Sequence, residues 1–240
     1  MLSHNPIRSI TMADELEIKD AYTVDESSFP YVFEQNVAVS LKTSSQGIIR
    51  CNVYRPQSTK DGTKLPVLVT YGPYGKDIHY KEYVRSRRRR HMQHLTHPSF
   101  HGKSYAEVNP DHHSDHSAWE TPDPGFWTKH DYIIVRADER GLGQSPGFLD
   151  TMSRGTSEAF FDVVEWAADQ PWSSGKVGLL GISYYAGSQW RVAARKPKGL
   201  AAIIPWEGMS DYYLDRCRHG GILSNKFIDF WWYGLPNPIK

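Results

Sequence analysis

The sequence predicts an α/β fold with a mostly parallel sheet and an antiparallel hairpin on its N-terminal side. Two patterns carry this prediction. From residue 66 onward, short apolar runs alternate with helical patterns, as in a parallel sheet that helices cover on both faces. Before residue 56, apolar and polar residues alternate with the period of half-buried strands. The 240 residues are enough to bury a sizeable core.

The composition excludes several classes of protein. The 28 Lys and Arg residues nearly balance 27 Asp and Glu, so the chain as a whole is neither a polycationic nucleic-acid binder nor an acidic tail protein. Its mean hydropathy is −0.57, and no apolar run reaches the roughly 18 residues of a membrane span. The first residues lack a signal-peptide pattern. We therefore expect a soluble, cytoplasmic protein with no membrane partner, whose Cys51 and Cys217 are buried or free thiols.

The first elements follow from alternation and from apolar runs. Residues 37–41 and 48–54 alternate on either side of a turn-prone segment, which predicts an antiparallel hairpin. Residues 66–71 and 132–137 form continuous apolar runs, which are typical of buried strands. About sixty residues separate these two runs, far more than a usual connection, so we expect local helices or functional loops between them.

The later elements are more regular. Thr156 or Ser157 can cap a helix with a broad apolar face, and Pro171 ends it. The remaining elements are a strand at 176–180, a helix at 184–196 and a strand at 200–204. This succession of strands and helices completes the prediction of a parallel sheet with helices on its faces.

Ser183 is the strongest candidate for a catalytic residue. It lies between a predicted strand and a predicted helix, with Gly181 two positions before it. Such a junction forces a tight turn that holds the serine hydroxyl clear of the sheet and aims the helix N-terminus at it. The backbone N–H of Tyr184 would then be one donor to an oxyanion. The alternative is a serine that caps an ordinary turn between a strand and a helix.

One position departs from the common pattern of such turns. Glycine is usual two residues after the serine, but Tyr185 stands there. We expect Ala186 and Gly187 to provide the necessary space instead.

Three segments occur in an order that is more specific for a protein family than any one of them alone. They are residues 138–147 with their Asp-Glu-Arg-Gly start, residues 166–178, and residues 181–190 with Gly-Ile-Ser-Tyr. Together they resemble the Xaa-Pro dipeptidyl-peptidase and cocaine-esterase family (CocE/NonD) of α/β-hydrolases, over roughly residues 35–235. The resemblance implies the α/β-hydrolase fold and acyl transfer to water, without a cofactor.

The resemblance also assigns roles to particular residues. It implies that Ser183 is the nucleophile and that the tyrosine of the Pro73-Tyr74 pair donates its hydroxyl to the oxyanion hole. The alternative for Tyr74 is a loop aromatic that packs under the sheet. The substrate would be a small-molecule ester, a peptide or an acylamide, and the sequence does not choose among them.

The acid and base of a catalytic triad are not identifiable in this chain. In α/β-hydrolases they follow the serine, in the order carboxylate and then histidine. His219 is the only histidine after Ser183, and its surroundings look like a cap segment. Weak candidates for the acid are Asp211, Asp215 and Asp229. The competing hypothesis is therefore a catalytically inert fragment that keeps the serine turn without its partners.

These assignments divide the chain into three parts. They are an N-terminal arm at 1–34, the first part of the hydrolase core at 35–207 with a long insertion at 75–130, and the start of a helical cap at 208–240. We expect the core to be incomplete at its C-terminal end, and the strand at 200–204 would then be an exposed apolar edge. The cap aromatics would be exposed too; they are Phe227, Phe230, Trp231 and Trp232. We expect self-association or aggregation through these surfaces.

Other signals in the sequence are weaker. The basic run at 85–90 lacks an aromatic stacking platform, so a solvated insertion is favoured over a nucleic-acid site, and residues 81–105 look like an added segment. The histidines of residues 111–116 match no standard zinc spacing, which argues against a metal site. Arg140 is expected to hold its glycine-rich loop by ion pairing, and residues 206–208 to line the pocket.

Overall fold

The computed structural model describes residues 21–43, 47–81 and 109–225. Seven strands form one mixed sheet in the order β1-β2-β3-β5-β4-β6-β7. They are β1 (Thr23–Asp25), β2 (Tyr31–Ser40), β3 (Ile48–Pro56), β4 (Leu65–Gly72), β5 (Ile133–Asp138), β6 (Ser173–Ile182) and β7 (Leu200–Trp206). The helices are α1 (Pro124–Lys129), α2 (Arg154–Ala168) and α3 (Tyr184–Ala193). A short hairpin, β8 (Arg218–His219) and β9 (Ile222–Leu223), follows the sheet.

Strands β4 to β7 run parallel and form the half of the sheet that matters for function. Strand β4 lies between β5 and β6, and β7 pairs with β6. Every residue of β5 is buried, as expected for a strand covered on both faces. The apolar face of α2 packs on this part through Phe160, Val163 and Val164. The predicted α/β fold, with a parallel sheet and an N-terminal antiparallel hairpin, is confirmed.

The hairpin is longer than the sequence predicts. Strand β2 begins at Tyr31 instead of residue 37, because a bulge between Glu34 and Val37 interrupts the alternation that the prediction follows. Asn36 lies at this irregularity with a φ of 58°. Strand β1 adds to β2 in antiparallel fashion. The sheet thus starts before residue 35, where the predicted arm ends, while the domain boundaries themselves stay a prediction.

Helix α2 starts earlier than predicted. Its N-cap is Ser153, whose hydroxyl accepts the Thr156 N–H at 3.1 Å, so the prediction of Thr156 or Ser157 as the cap is wrong. The Arg-Gly pair that follows Ser153 has a loop-like sequence, but both residues belong to the helix. The helix ends at Ala168, before Pro171 as expected, and α3 ends at Ala193, three residues before the predicted end at 196.

The long insertion holds local structure where it is described. Helix α1 confirms the expectation of a helix between β4 and β5. The basic run at 85–90 and nearly all of residues 81–105 lie outside the described residues. Within the described ranges, no group of three or more His, Cys, Asp or Glu side chains could hold a metal ion. Cys51 and Cys217 are both free thiols, as predicted.

His116 belongs to an aromatic cluster instead of a polar site. Its ring centroid lies 4.3 to 5.8 Å from those of four aromatic residues, which are Phe29, Tyr31, Phe33 and Tyr54. Its Nδ1 is 2.7 Å from the hydroxyl oxygen of Tyr31. Burial lowers the pKa of His116 to about 4, so the ring is neutral at pH 7. The cluster anchors the end of the insertion to the antiparallel half of the sheet.

Strand β7 is an edge strand in the described part of the chain, since β6 is its only partner there. Its outer face is exposed, and Trp206 exposes 60% of its surface. On the adjacent helix α3, Trp190 exposes 44%. The predicted exposed apolar edge is thus present, whereas the cap aromatics from Phe227 to Trp232 lie outside the described residues.

This edge leads to a prediction of self-association. We expect the isolated chain to elute in size-exclusion chromatography above its monomer mass of 27.5 kDa, because an unpaired apolar edge accepts another strand. Ala202→Lys places a charge on the exposed face of β7 and should shift the population toward monomer. Ser40→Lys is the matched control, since it adds a charge at an exposed position of β2, on the far side of the sheet from β7. A monomeric wild-type chain with a cooperative unfolding transition contradicts the prediction.

None of the helices in the described part of the chain is long and apolar enough to cross a membrane.

Candidate active site

Ser183 lies at the sharp turn from β6 into α3. Its φ of 59° and ψ of −111° belong to a conformation that non-glycine residues rarely adopt. Two backbone hydrogen bonds hold the turn: the Ser183 N–H donates to the Trp206 carbonyl at 2.9 Å, and the Ser183 carbonyl accepts the Gly187 N–H at 2.9 Å. The residue is half-buried. A strained residue at the carboxyl end of a central strand is the geometry that the sequence predicts for a nucleophile elbow.

Two glycines make room for Tyr185. A Cβ on Gly72, at the end of β4, would lie 2.6 Å from Cε1 of Tyr185, and a Cβ on Gly181 would overlap the Tyr185 Cβ. The expectation that Ala186 and Gly187 supply this space is therefore wrong. Those two residues instead leave room for the segment that follows β7, because a Cβ on Gly187 would overlap the sulfur of Met209.

The structure brings Tyr74 next to the elbow. Tyr74 follows β4, which pairs with β6. Its ring centroid lies 5.5 Å from that of Tyr185 in an edge-to-face contact. Only 6% of Tyr74 is exposed. Parallel neighbouring strands thus carry the two residues predicted for nucleophile and oxyanion hole to one edge of the sheet.

Tyr184 begins α3 and is held by its phenol ring. The ring is buried, and the hydroxyl donates to Oε1 of Glu139 at 2.8 Å while it accepts the Met152 N–H at 3.3 Å. Burial raises the pKa of Glu139 to about 7, and the hydrogen bond from Tyr184 opposes this rise. The carbonyl of Met152 in turn accepts a hydrogen bond from Arg191 of α3. The first turn of the helix is thereby tied to the chain segment that follows β5.

A second buried carboxyl group organises the segment around Tyr74. Asp138, the last residue of β5, accepts the Lys76 N–H at 2.6 Å and the Gln144 N–H at 3.0 Å. Burial raises the pKa of Asp138 to about 6, although the Lys76 ammonium acts against the rise. The ammonium is itself buried and donates to Oδ1 of Asn36 at 2.7 Å and to Asp77.

The loop after β5 is shaped by close backbone approaches. The Arg140 N–H donates to the Tyr71 hydroxyl at 3.0 Å. Gly141 and Gly143 have φ values of 80° and 53°, and a Cβ on Gly143 would overlap the Asp138 carboxylate. Ion pairing of Arg140 stays a prediction.

Trp206, at the end of β7, accepts a hydrogen bond from the elbow through its carbonyl, while its side chain is largely exposed.

The weaker candidates for the acid and base lie elsewhere. His219 is exposed in β8, and its Nε2 is 2.7 Å from the Asp215 carbonyl oxygen. The Asp215 carboxylate caps a local turn by accepting the N–H groups of Ser210 and Asp211. Asp229 lies outside the described residues. None of these described contacts involves the elbow, so no acid or base is identified.

The sequence places Asp138 and Glu139 at the carboxyl end of a buried apolar run but does not show what they bind. The signal is the acidic pair that directly follows a buried strand. Lys76 was missed altogether, because a lysine between Gly75 and Asp77 reads as part of an exposed loop.

Comparisons with known proteins point to one family. The family model described as X-Pro dipeptidyl-peptidase (S15 family) matches residues 48–236. A cocaine esterase from a Rhodococcus species is 33% identical over 107 residues, which are 44% of this chain and 18% of the esterase. An Xaa-Pro dipeptidyl-peptidase from Lacticaseibacillus paracasei is 26% identical over 214 residues, which cover 73% of this chain and 26% of the peptidase.

A solved structure has a similar fold. The crystal structure of a CocE/NonD family hydrolase from Staphylococcus aureus superposes with a TM-score of 0.67 at 33% identity, covering 87% of this chain and 34% of that protein. The chain thus spans only about a fifth to a third of the length of these relatives. The family model covers well over half of the sequence, and we conclude that the chain belongs to the X-Pro dipeptidyl-peptidase (S15) family and has the α/β-hydrolase fold.

Proposed function

We propose that this chain carries the nucleophile and the oxyanion hole of a serine hydrolase that acts on esters, peptides or other amides. The observation that carries the proposal is the strained backbone of Ser183 at the start of α3, with Tyr74 two residues after the neighbouring strand β4. Membership of the family supports the same reaction class.

The chemistry follows from these positions. The hydroxyl oxygen of Ser183 attacks the substrate carbonyl, and a base outside the residues identified here takes its proton. The negative charge that develops on the carbonyl oxygen is stabilised by the Tyr74 hydroxyl and the Tyr184 N–H. The alcohol or amine then leaves with a proton, and water releases the acyl group from Ser183.

The second candidate is a catalytically inert chain. It is favoured by the absence of any contact between the elbow and His219, Asp211 or Asp215 among the described residues. A serine without a base is a poor nucleophile.

A fluorophosphonate probe separates the two candidates. An active serine attacks phosphorus and expels fluoride, so we expect covalent labelling that mass spectrometry locates at Ser183. Ser183→Ala should abolish the labelling. Ser188→Ala is the matched control, because Ser188 lies one turn further along α3 and is buried. Folded wild-type chain that remains unlabelled favours the inert candidate.

A further inference from the structure

Two consecutive carboxyl groups lie at the carboxyl end of β5 and bind different parts of the site. Asp138 is the last residue of β5 and Glu139 directly follows it, and the two carboxyl groups have different hydrogen-bond partners. Both are essentially inaccessible to solvent. Burial of a carboxyl group is unfavourable unless hydrogen bonds compensate for the lost water, so their partners are informative.

Glu139 reaches the residue that follows the nucleophile. Its Oε1 accepts the Tyr184 hydroxyl at 2.8 Å. The Thr156 hydroxyl also lowers the pKa of Glu139, but it donates its one hydrogen to the Asp150 carbonyl at 2.8 Å. Among the described residues, Oε2 of Glu139 has no hydrogen-bond partner. The bond to Tyr184 is therefore its main contact, and it fixes the first residue of α3.

Asp138 reaches the other side of the site. Its Oδ1 accepts the Lys76 N–H, two residues after Tyr74, and its Oδ2 accepts the Gln144 N–H. The buried Lys76 ammonium lies 3.9 Å from Oδ2. Charge-assisted hydrogen bonds of this kind are about twice as strong as neutral ones. They hold the segment that carries Tyr74 against the end of β5.

We propose that Asp138 and Glu139 are positioning residues, each of which fixes one of the two oxyanion donors. Asp138 sets the place of the Tyr74 hydroxyl through the backbone of residue 76, and Glu139 sets the place of the Tyr184 N–H through the Tyr184 phenol. The inference rests on the proposed function. It explains why two buried acidic residues stand side by side where no described salt bridge joins Glu139 to a cation.

The test consists of two double-mutant cycles on the maximal rate of fluorophosphonate labelling at Ser183, measured with the full chain. One cycle combines Glu139→Gln with Tyr184→Phe, and the other combines Asp138→Asn with Tyr74→Phe. We expect each carboxyl substitution alone to lower the maximal rate about tenfold, a fraction of what loss of an oxyanion donor costs. The half-saturating probe concentration should change less than about twofold, because ground-state binding is untouched.

A positioning role and a general structural effect differ in how each carboxyl substitution acts when the tyrosine has already been replaced. Glu139→Gln should change the rate at most about twofold once Tyr184 is Phe, since the link is already broken. Asp138→Asn should likewise lose its effect once Tyr74 is Phe. In the crossed pairs, Asp138→Asn with Tyr184→Phe and Glu139→Gln with Tyr74→Phe, each carboxyl substitution should keep its tenfold effect.

Control variants and the labelling of the wild type distinguish failure of this inference from failure of the proposed function. Glu26→Gln and Asp61→Asn change exposed carboxylates and should leave the rate unchanged. Circular dichroism establishes that each variant is folded, and Asp138→Ser, which also removes the carboxylate that accepts the Lys76 N–H, replaces Asp138→Asn if the latter does not fold. Additive effects in all four pairs, or single effects below twofold, overturn this inference while labelling of the wild type upholds the proposed function. Wild type that is folded and unlabelled overturns the proposed function and this inference with it.

Discussion

Tyr74→Phe is expected to lower the maximal rate of Ser183 labelling by about a hundredfold, because one of two proposed oxyanion donors is lost. The half-saturating probe concentration should stay nearly constant, since the hydroxyl is needed mainly when negative charge develops on oxygen. The ring that contacts Tyr185 is retained, so the packing around the elbow is preserved. Rates at several probe concentrations, with labelling read by mass spectrometry, provide the measurement.

Tyr22→Phe is the matched control for this change. Tyr22 is exposed next to the edge strand β1, which three other strands separate from β4, and its hydroxyl donates to Glu34 at 2.8 Å. It should label at the wild-type rate. If Tyr74→Phe also retains a rate within about threefold of wild type, Tyr74 is a packing residue and has no part in the oxyanion hole.

Gly181→Ala is expected to destabilise the chain by about 1–3 kcal/mol and to abolish most Ser183 labelling, as overpacking of a buried site does. The added methyl group would overlap the Cβ of Tyr185, an atom fixed to the first turn of α3. Relief of the overlap requires a shift of the helix start and with it of Ser183. Urea unfolding and labelling of the same sample measure the two effects together.

Gly155→Ala separates this steric effect from the general consequence of replacing a glycine. A Cβ on Gly155 meets Nη1 of Arg140 at 3.5 Å, which is an ordinary contact, and the residue lies in the first turn of α2. Alanine is the better helix former, so this variant should be equally or more stable. An equally stable and fully labelled Gly181→Ala chain would show that the elbow can yield without loss of geometry.

Much of the parallel half of the sheet could be predicted from the sequence, because burial on both faces leaves a short, continuous apolar run. Strands β4 and β5 are within one residue of their predicted bounds. The elbow could be predicted for a related reason. The transition from a buried strand to a helix is local, and Gly181 and Ser183 mark it within three positions.

Features that depend on contacts between distant segments could not be predicted. The space for Tyr185 comes from Gly72 on another strand, and no local pattern connects the two residues. The start of β2 was hidden because the bulge after Glu34 breaks the alternation. The partners of Asp138 and Glu139 were likewise invisible, because the sequence gives the edge where a side chain emerges and not the residue that it meets.

The strand order has a consequence for the kinetics of folding. Tyr74 reaches the turn that carries Ser183 because β4 pairs with β6, yet all of β5 and α2 lie between the two residues in the chain. Contacts between such distant positions close a long loop and form slowly compared with local ones. Reactivity of Ser183 should therefore emerge only after β6 has docked on β4. During refolding, the time at which Ser183 first reacts with a probe would report when the tertiary structure around it is complete.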